Sequence, residues 1–276
     1  MKTLPVGIQL YSLRDILEGR GKENFKEVMQ QLRDFGYDGV ELADDFGFEP
    51  EFIRDTLAEV GLVPLSAHVP LVDMMADVQK VVDEYKVIGC KYMVVPYLPE
   101  EYRHFTPGYE KVIAEMQRIG DVMLANGMQL LYHNHDFEFV KLEDGTYGFD
   151  DIYNQVPQLA AEPDTCWIKV AGENPAAYVE KYTGRAPVVH LKDFIKEGNP
   201  KNLYKLIGIE TEEVEEDTGM FEFRAVGFGQ QIWLPILEAA VKAGAEWVVV
   251  EQDEHYNIPA IECARRSREY LKILGW

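Results

Sequence analysis

Eight short apolar segments with strand character alternate with helical segments along this chain, at a roughly regular interval. Alternating strands and helices predict parallel strands that are joined by crossover helices. Eight such repeats within 276 residues fit the size of a closed (β/α)8 barrel. The segments that we predict as strands are residues 6–11, 39–42, 62–68, 91–95, 130–133, 187–191 and 246–250, with one further strand inside 159–170.

An open, doubly wound sheet is the alternative arrangement that also alternates strands and helices. Such a sheet usually carries a glycine-rich phosphate loop directly after its first strand. Here the corresponding residues 11–15 are Tyr-Ser-Leu-Arg-Asp and contain no glycine. The sequence therefore predicts an α/β protein with one (β/α)8 TIM-barrel domain that spans residues 1–276.

The helical segments carry apolar residues at helical spacing, and several of them stop at a glycine such as Gly36, Gly61 or Gly89. The longest segment without regular structure is predicted at 194–229, and its run at 210–217 is too acidic to bury. We expect that segment to be a lid or an oligomer contact rather than core. The predicted helices are residues 24–35, 51–60, 71–88, 109–125, 150–155, 175–182, 234–243 and 260–274.

Polar side chains stand at or just beyond the ends of most predicted strands. The active site of such a barrel lies at the carboxyl ends of its strands. Histidine, aspartate and glutamate that converge there from different strands predict a divalent metal site with room for a substrate. These strand-end residues are Gln9, Tyr11, Glu41, His68, His133, His135, Asp164, His190, Lys192 and Glu251.

His133 and His135 follow one apolar run and share one face of an extended chain. One imidazole can bind an ion while the other reaches a bound substrate. The metal-binding imidazole needs an acceptor for its second nitrogen, which Asp136 or Glu138 could provide. The other imidazole, if it keeps its ordinary pKa, could move a proton at neutral pH.

Composition limits the partners and the compartment. The net charge is −21, with 48 acidic against 27 basic residues, so nucleic acid and anionic membranes are poor partners. Three cysteines without metal-site spacing favour a reducing compartment. No apolar run reaches the length of a membrane span, and residues 1–3 lead straight into a predicted strand. We therefore expect a cytoplasmic protein.

Several segments together resemble the xylose-isomerase-like TIM barrels, a superfamily of sugar isomerases, epimerases and dehydratases with an endonuclease branch. The resemblance covers essentially the whole chain and is specific for the superfamily rather than for a substrate. The segments that carry it are residues 39–41 (Gly-Val-Glu), 66–68 (Ser-Ala-His), 133–135 (His-Asn-His), 164–167 (Asp-Thr-Cys-Trp), 189–193 (Val-His-Leu-Lys-Asp) and 250–251 (Val-Glu).

The resemblance implies one divalent ion, Mn, Co, Mg or Zn, held by a Glu-Asp-His-Glu set from the last four barrel strands. The last three ligands fall on Asp164, His190 and Glu251. At the first position this chain departs from the pattern and carries His133. His133 itself, His135, or a Glu138 that turns back could complete the set. A mechanism with two glutamate bases does not follow from this pattern.

By the same resemblance, the chain is expected to be a sugar isomerase or epimerase that removes a proton next to a carbonyl, with a metal-stabilised enediolate. A dehydratase or lyase that acts on an inosose or a 3-keto-glycoside is the alternative. Glu251 is the expected base, with His135 and Lys192 as further catalytic groups. The expected substrate contacts are Gln9, Glu41, His68, Trp167, which could stack on a sugar, and Lys169.

Two other classes stay open. The endonuclease branch shares His68, Asp164, His190 and Glu251 with this chain, but it needs more histidines, and the chain has no basic stripe for DNA. A catalytically inactive barrel that serves as a binding subunit is the other class. For the enzyme, few basic residues are expected near the mouth of the barrel. A small unphosphorylated carbohydrate is therefore the favoured partner, and a homo-oligomer remains possible.

Overall fold

The computed structural model describes residues 2–201, 203–207 and 218–276. Its strands form a sheet in the order β6-β5-β4-β3-β2-β1-β9-β7-β8, in which β8 is antiparallel to β7 and all other pairs are parallel. The strands are β1 Val6–Gln9, β2 Gly39–Leu42, β3 Val63–His68, β4 Tyr92–Val95, β5 Gln129–His133, β6 Ala160–Glu162, β7 Val188–Asn199, β8 Thr218–Arg224 and β9 Trp247–Glu251.

The sheet closes on itself between β6 and β7. The amide of Ala161 donates to the carbonyl of Arg185 at 2.7 Å, and the amide of His190 donates to the carbonyl of Pro163 at 3.0 Å. A parallel bridge pairs Asp164 with His190 at the carboxyl end of the same seam. The eight parallel strands therefore form the predicted barrel.

Helices surround the barrel and follow its strands. Glycine in the left-handed region ends three of them at the predicted positions, with φ of 94° at Gly36, 78° at Gly61 and 103° at Gly89. The helices in the described part of the chain are α1 Arg14–Leu17, α2 Lys22–Phe35, α3 Pro50–Val60, α4 Leu71–Ile88, α5 Tyr109–Ala125, α6 Gly148–Gln155, α7 Thr165–Val170, α8 Pro175–Lys181, α9 Trp233–Ala243 and α10 Ala260–Ile273. No helix in this part of the chain is long and apolar enough to cross a membrane.

The inside of the barrel is divided into an apolar lower half and a polar upper half. Side chains alternate along a strand, so every second residue points inward. In β7 the inward positions run from Val188, in the apolar cluster, to His190 and Lys192 above it. In β9 they run from Val249 to Glu251. The apolar cluster comprises Leu65, Tyr92, Val94, Leu131, Ala160, Val188 and Val249.

Two glycines make room for this apolar cluster on β1 and β2. A Cβ atom at Gly7 would lie 2.7 Å from Cδ2 of Leu65, and one at Gly39 would lie 2.6 Å from the carbonyl oxygen of Val63. No real Cβ approaches that closely, so both positions require glycine for close packing. Gln9 and Glu41 follow these glycines by two residues and are the next inward-facing side chains on β1 and β2.

Two segments differ from the expected organisation. Only Ala160–Glu162 is a strand within 159–170, because the chain turns into α7 directly after Asp164. The segment expected to be irregular instead contributes a β7–β8 hairpin, in which Phe194 pairs with Phe223. Phe194, Phe221 and Phe223 are buried with Trp167, so this part is a small core of its own. The acidic run at 210–217 lies outside the described residues.

Candidate active site at the carboxyl ends of the barrel strands

A cavity of about 300 Å³ opens at the carboxyl ends of the barrel strands. Its wall includes six of the strand-end residues that the sequence predicts as functional. It also includes Ile207, from the short turn Leu203–Ile207, and Asp253, which follows β9. The predicted residues in the wall are Tyr11, His68, His133, His135, Lys192 and Glu251.

The four predicted metal ligands come together, and two of them, His133 and Glu251, line this cavity. His133, Asp164, His190 and Glu251 each offer one ligand atom, and these atoms lie within 4.8 Å of one another. Nε2 of His133 lies 3.3 Å from Oδ2 of Asp164, and Nδ1 of His190 lies 3.0 Å from Oε2 of Glu251. All four side chains are buried. We call this set the mouth cluster.

The mouth cluster fits a divalent ion. Two imidazole nitrogens and two carboxylate oxygens are a donor set that suits Mn²⁺, Co²⁺ and Zn²⁺. The backbone prepares His133 for this role, because its Nδ1 lies 3.1 Å from the carbonyl oxygen of Pro96. That oxygen accepts the Nδ1 proton and leaves Nε2 free to bind a metal. The acceptor is therefore a carbonyl of the loop after β4, and not Asp136 or Glu138.

The two carboxylate oxygens of Asp164 have different partners. Its Oδ1 accepts hydrogen bonds from the amides of Cys166 at 2.7 Å and Trp167 at 3.1 Å, and so caps α7. Its Oδ2 faces His133 and the mouth cluster. The start of α7 thus fixes the direction of the ligand oxygen.

Of the three candidates His133, His135 and Glu138, only His133, the last residue of β5, belongs to the mouth cluster. Glu138 turns away, because its carboxylate accepts the hydroxyl of Tyr132 and, at 2.8 Å, the amide of His135. Burial raises the pKa of Glu138 to about 8. His135 lines the cavity beside the mouth cluster but is not part of it.

His135 is a buried histidine with an unused hydrogen-bonding atom. Its ring stacks on Phe137 with centroids 5.2 Å apart, and its Nδ1 has no hydrogen-bond partner among the described residues. Burial, followed by the charges of His133 and Lys192, lowers the pKa of His135 well below its usual value. The expectation that this imidazole keeps its ordinary pKa is therefore wrong. A neutral His135 can hydrogen-bond a substrate in the cavity.

Next to the mouth cluster lies a second set of convergent side chains, which we call the deep ring. It consists of Glu41, His68, Glu162 and His190. Nε2 of His68 lies 2.8 Å from Oε2 of Glu162, and Nε2 of His190 lies 2.8 Å from Oε1 of Glu41. Gln9 donates to the same Oε1 of Glu41 at 2.7 Å. His190 therefore belongs to both sets and offers a different nitrogen to each.

Opposite charges hold the deep ring together. Burial raises the pKa of Glu41, but the charges of His68 and His190 outweigh burial and hold this pKa well below its usual value. Burial lowers the pKa of His68, and the carboxylates of Glu41 and Glu162 reverse this effect and raise it to about 10. Burial and the charge of Glu41 raise the pKa of Glu162.

Lys192 is a buried cation among carboxylates. Its Nζ lies 2.6 Å from Asp253, 2.9 Å from Glu251 and 3.8 Å from Asp164. Burial lowers the pKa of this amine, but the three carboxylates outweigh burial and raise the pKa well above its usual value. Lys192 is thus positively charged at neutral pH and suited to stabilise an oxyanion rather than to accept a proton.

The remaining predicted contacts lie outside the cavity wall. Trp167 is fully buried on α7, between His135 and the phenylalanines of the β7–β8 hairpin. Lys169 lies on the exposed side of α7. Gln9 and Glu41 are fully buried beneath the cavity and support the deep ring.

Sequence reasoning did not identify Glu162 and Asp253 as functional residues. Pro163 made the end of the sixth strand uncertain, so Glu162 was not assigned to a strand end. Glu162 stands two residues before Asp164, and the period of two therefore places both side chains on the inward face. Asp253 stands two residues after Glu251, and this spacing could have indicated that its side chain lies at the cavity. Burial raises the pKa of Asp253 to about 6.

Known proteins resemble this chain in sequence. A family model described as a xylose isomerase-like TIM barrel matches residues 68–274. An inosose dehydratase of Lacticaseibacillus casei is 24% identical over 280 residues, which cover 91% of this chain and 90% of that protein.

Solved structures resemble its fold. A sugar phosphate isomerase/epimerase from Parabacteroides distasonis superposes with a TM-score of 0.76 and 20% identity, covering 99% of this chain and 94% of the other. A D-allulose 3-epimerase from Methylomonas sp., solved in complex with D-allulose, superposes with a TM-score of 0.70 and 13% identity, covering 99% of this chain and 98% of the other.

Proposed function

The chain belongs to the xylose isomerase-like TIM barrel family, and we propose that it is a divalent-metal-dependent enzyme that removes a proton next to the carbonyl of an unphosphorylated keto-sugar or cyclitol. The observation that carries this proposal is the mouth cluster, of which His133 and Glu251 line a cavity of about 300 Å³ at the carboxyl ends of the strands. A cavity of that volume is at the small end of ligand sites and fits a monosaccharide. The inosose dehydratase and the D-allulose 3-epimerase among the relatives act on molecules of this size.

Each group in the cavity has a proposed role. A divalent ion in the mouth cluster would supply the positive charge that stabilises the enediolate left when the proton departs. Glu251 lies in the cavity wall and is the proposed base. Lys192 adds a fixed positive charge beside Glu251. His135 presents a neutral imidazole, with an unpartnered Nδ1, that can hydrogen-bond a substrate hydroxyl.

We propose an unphosphorylated substrate because the cavity offers few cations that could bind a phosphate. Among the described wall residues, Lys192 is the only lysine or arginine, and its amine is occupied by three carboxylates. Arg14, nearby, donates to the carbonyl of Asp253 at 2.6 Å and to Glu254 at 2.8 Å. A phosphate in the cavity would therefore meet several carboxylates beside the single lysine of the wall.

Elimination of water is the second candidate outcome, and Asp253 favours it. Its carboxyl lines the cavity beside Lys192, and its pKa of about 6 suits proton donation to a leaving hydroxyl. Epimerisation with two glutamates would need a second glutamate near the metal, where this chain carries His133. This arrangement supports a dehydratase that expels water from an inosose. It also supports a lyase that expels the aglycone alcohol from a 3-keto-glycoside, with Asp253 protonating the departing oxygen.

The experiment is a proton-exchange assay in deuterium oxide with a panel of keto-sugars and inososes. We expect metal-loaded protein to exchange the proton next to the carbonyl of at least one compound, and metal-stripped protein to exchange none. The appearance of an unsaturated ketone would identify elimination, and a rearranged sugar would identify isomerisation. The matched control is Asp144→Asn, a change to an exposed acid far from the cavity. Equal exchange in stripped and loaded protein would contradict the role of the metal.

A further inference from the structure

The deep ring has the geometry of a second metal site next to the mouth cluster. Its four ligand atoms are Oε1 of Glu41, Nε2 of His68, Oε2 of Glu162 and Nε2 of His190. Around the ring, neighbouring atoms are separated by 3.2 Å (Glu41–His68), 2.8 Å (His68–Glu162), 3.4 Å (Glu162–His190) and 2.8 Å (His190–Glu41). Oxygen and nitrogen atoms alternate around the ring, and all four lie within 4.8 Å of one another.

These separations are close to those of a ligand shell. Metal–ligand bonds of about 2.0–2.2 Å in a tetrahedral arrangement place neighbouring ligand atoms about 3.3–3.6 Å apart. The two shorter edges of the ring, at 2.8 Å, would therefore need to widen by about 0.5–0.8 Å. The rings of His68 and His190 are already parallel, with an interplanar angle of 7°.

An unpartnered carboxylate oxygen is a second and independent indication of a ligand. Glu162 is completely buried, yet its Oε1 has no hydrogen-bond partner among the described residues. Buried carboxylate oxygens are usually satisfied by a donor or a cation. Glu41, on the opposite side of the ring, is fully satisfied, because Gln9 and Ser66 both donate to it. The incomplete side of the ring is thus the side of Glu162.

We propose that the deep ring binds a divalent transition-metal cation of its own, of the Mn²⁺, Co²⁺ or Zn²⁺ class. Two imidazoles and two carboxylates favour these ions over Ca²⁺ or Mg²⁺, which prefer all-oxygen shells. His190 then joins the two sites, because its Nδ1 faces Glu251 in the mouth cluster and its Nε2 faces Glu41 in the deep ring. With both sites filled it would bridge them as an imidazolate, and its ring protons would be released to solvent. The proposal needs no assumption about the reaction at the mouth.

The test is metal stoichiometry in the full-length protein after removal of all metal with a chelator. Equilibrium dialysis against Co²⁺ alone, with metal measured by mass spectrometry, should find about two ions per chain in the unaltered protein. Glu162→Gln should reduce this to about one ion, and Asp164→Asn, which damages only the mouth cluster, should also leave about one. Glu138→Gln is the matched control, because Glu138 is an equally buried glutamate outside both sets, and it should keep the full count.

The variants separate this proposal from the proposed function. A single ion that is lost in Asp164→Asn and kept in Glu162→Gln would overturn the deep site and leave the mouth site intact. A single ion with the reverse behaviour would support the deep site and contradict metal dependence at the mouth. A Glu162→Gln variant that still binds as much Co²⁺ as the unaltered protein would overturn the deep site.

A second measurement keeps the test valid if Glu162→Gln does not fold. In the unaltered protein loaded with Mn²⁺, two ions joined by one imidazole should give an exchange-coupled paramagnetic resonance spectrum. The spectrum of isolated Mn²⁺ at full loading would contradict a shared His190.

Discussion

Nδ1 of His133 lies 3.1 Å from the carbonyl oxygen of Pro96, so the backbone of one barrel loop fixes the tautomer of a histidine on the next strand. The free Nε2 of His133 then faces Oδ2 of Asp164. The first prediction follows from this relationship.

We expect His133→Ala to lower the affinity for the metal at the mouth. Loss of a partner that only orients a ligand costs about 10–100-fold in affinity, and loss of the ligand itself should cost more. Competition with a chromophoric chelator measures the change. The interpretation would be wrong if the variant lost stability but bound metal as tightly as the unaltered protein.

His135→Ala should behave differently, because His135 lines the cavity but lies outside the mouth cluster. We expect metal content to stay the same and turnover to fall by roughly 2–10-fold, because one hydrogen bond to the substrate, of about 0.5–1.5 kcal/mol, is lost. Metal analysis and an activity assay on one preparation decide the matter. Loss of stability in both histidine variants, with no change in metal content, would indicate that the two side chains only stabilise loops.

Glu251→Gln should abolish turnover while the fold survives. The carboxylate is the proposed base and also accepts from Lys192 and His190. A melting curve and far-ultraviolet circular dichroism test the fold, and the deuterium exchange assay tests the reaction. Full activity in this variant would exclude the proposed mechanism.

Glu138 should make the metal-free protein less stable as the pH rises. Burial raises its pKa to about 8, above the ordinary value of about 4.3 for a glutamate, so the folded state holds the proton more tightly than the unfolded state. The stabilising effect is complete below about pH 4.5 and is lost as the pH rises through about 8, with a size of roughly 2–5 kcal/mol. Urea unfolding at several pH values measures the free energy.

Glu138→Gln is the comparison for that measurement, because glutamine cannot ionise. The difference in unfolding free energy between the two proteins should change across pH 4.5–8 and be constant below that range. A difference that is independent of pH would show that Glu138 keeps an ordinary pKa in the folded protein.

The turn Leu203–Ile207 is proposed to cover the cavity as part of a lid. Ile207 lines the cavity, and the hydroxyl of Tyr204 donates to Oδ1 of Asp136 at 2.6 Å. Tyr204→Phe should speed hydrogen exchange in residues 203–207 and raise KM, because one anchoring hydrogen bond of about 0.5–1.5 kcal/mol is lost. Protection equal to that of the barrel strands without ligand, in both proteins, would argue against a lid.

The sequence predicts the barrel and the strand-end residues of the cavity wall because strands impose a period of two. His190 and Lys192 fall on one face of β7, and Val188 below them confirms which face points inward. The β7–β8 hairpin was missed because glycine and glutamate in 194–229 conceal the alternation. The depth of Glu41 and Trp167 could not be predicted, because burial depends on what packs above a residue and not on its place in a strand.

The role of Asp193 also could not be predicted from the sequence. In the sequence it reads as another strand-end acid, but its oxygens accept from the amides of Gly227, Gly229 and Gln231 and from the indole of Trp233. It anchors the chain that returns from the hairpin. Contacts between segments this distant are invisible until the fold is known.

β7 continues without interruption from the barrel wall at Val188 to the exposed hairpin end at Asn199. A fluorophore attached at residue 197 would therefore be joined to His190 by one stretch of extended backbone, about 23 Å long. Both ring nitrogens of His190 face candidate metal sites. If metal binding shifts β7, the fluorophore would report that shift at a surface far from the cavity. The hairpin offers a built-in place for an optical sensor of the site.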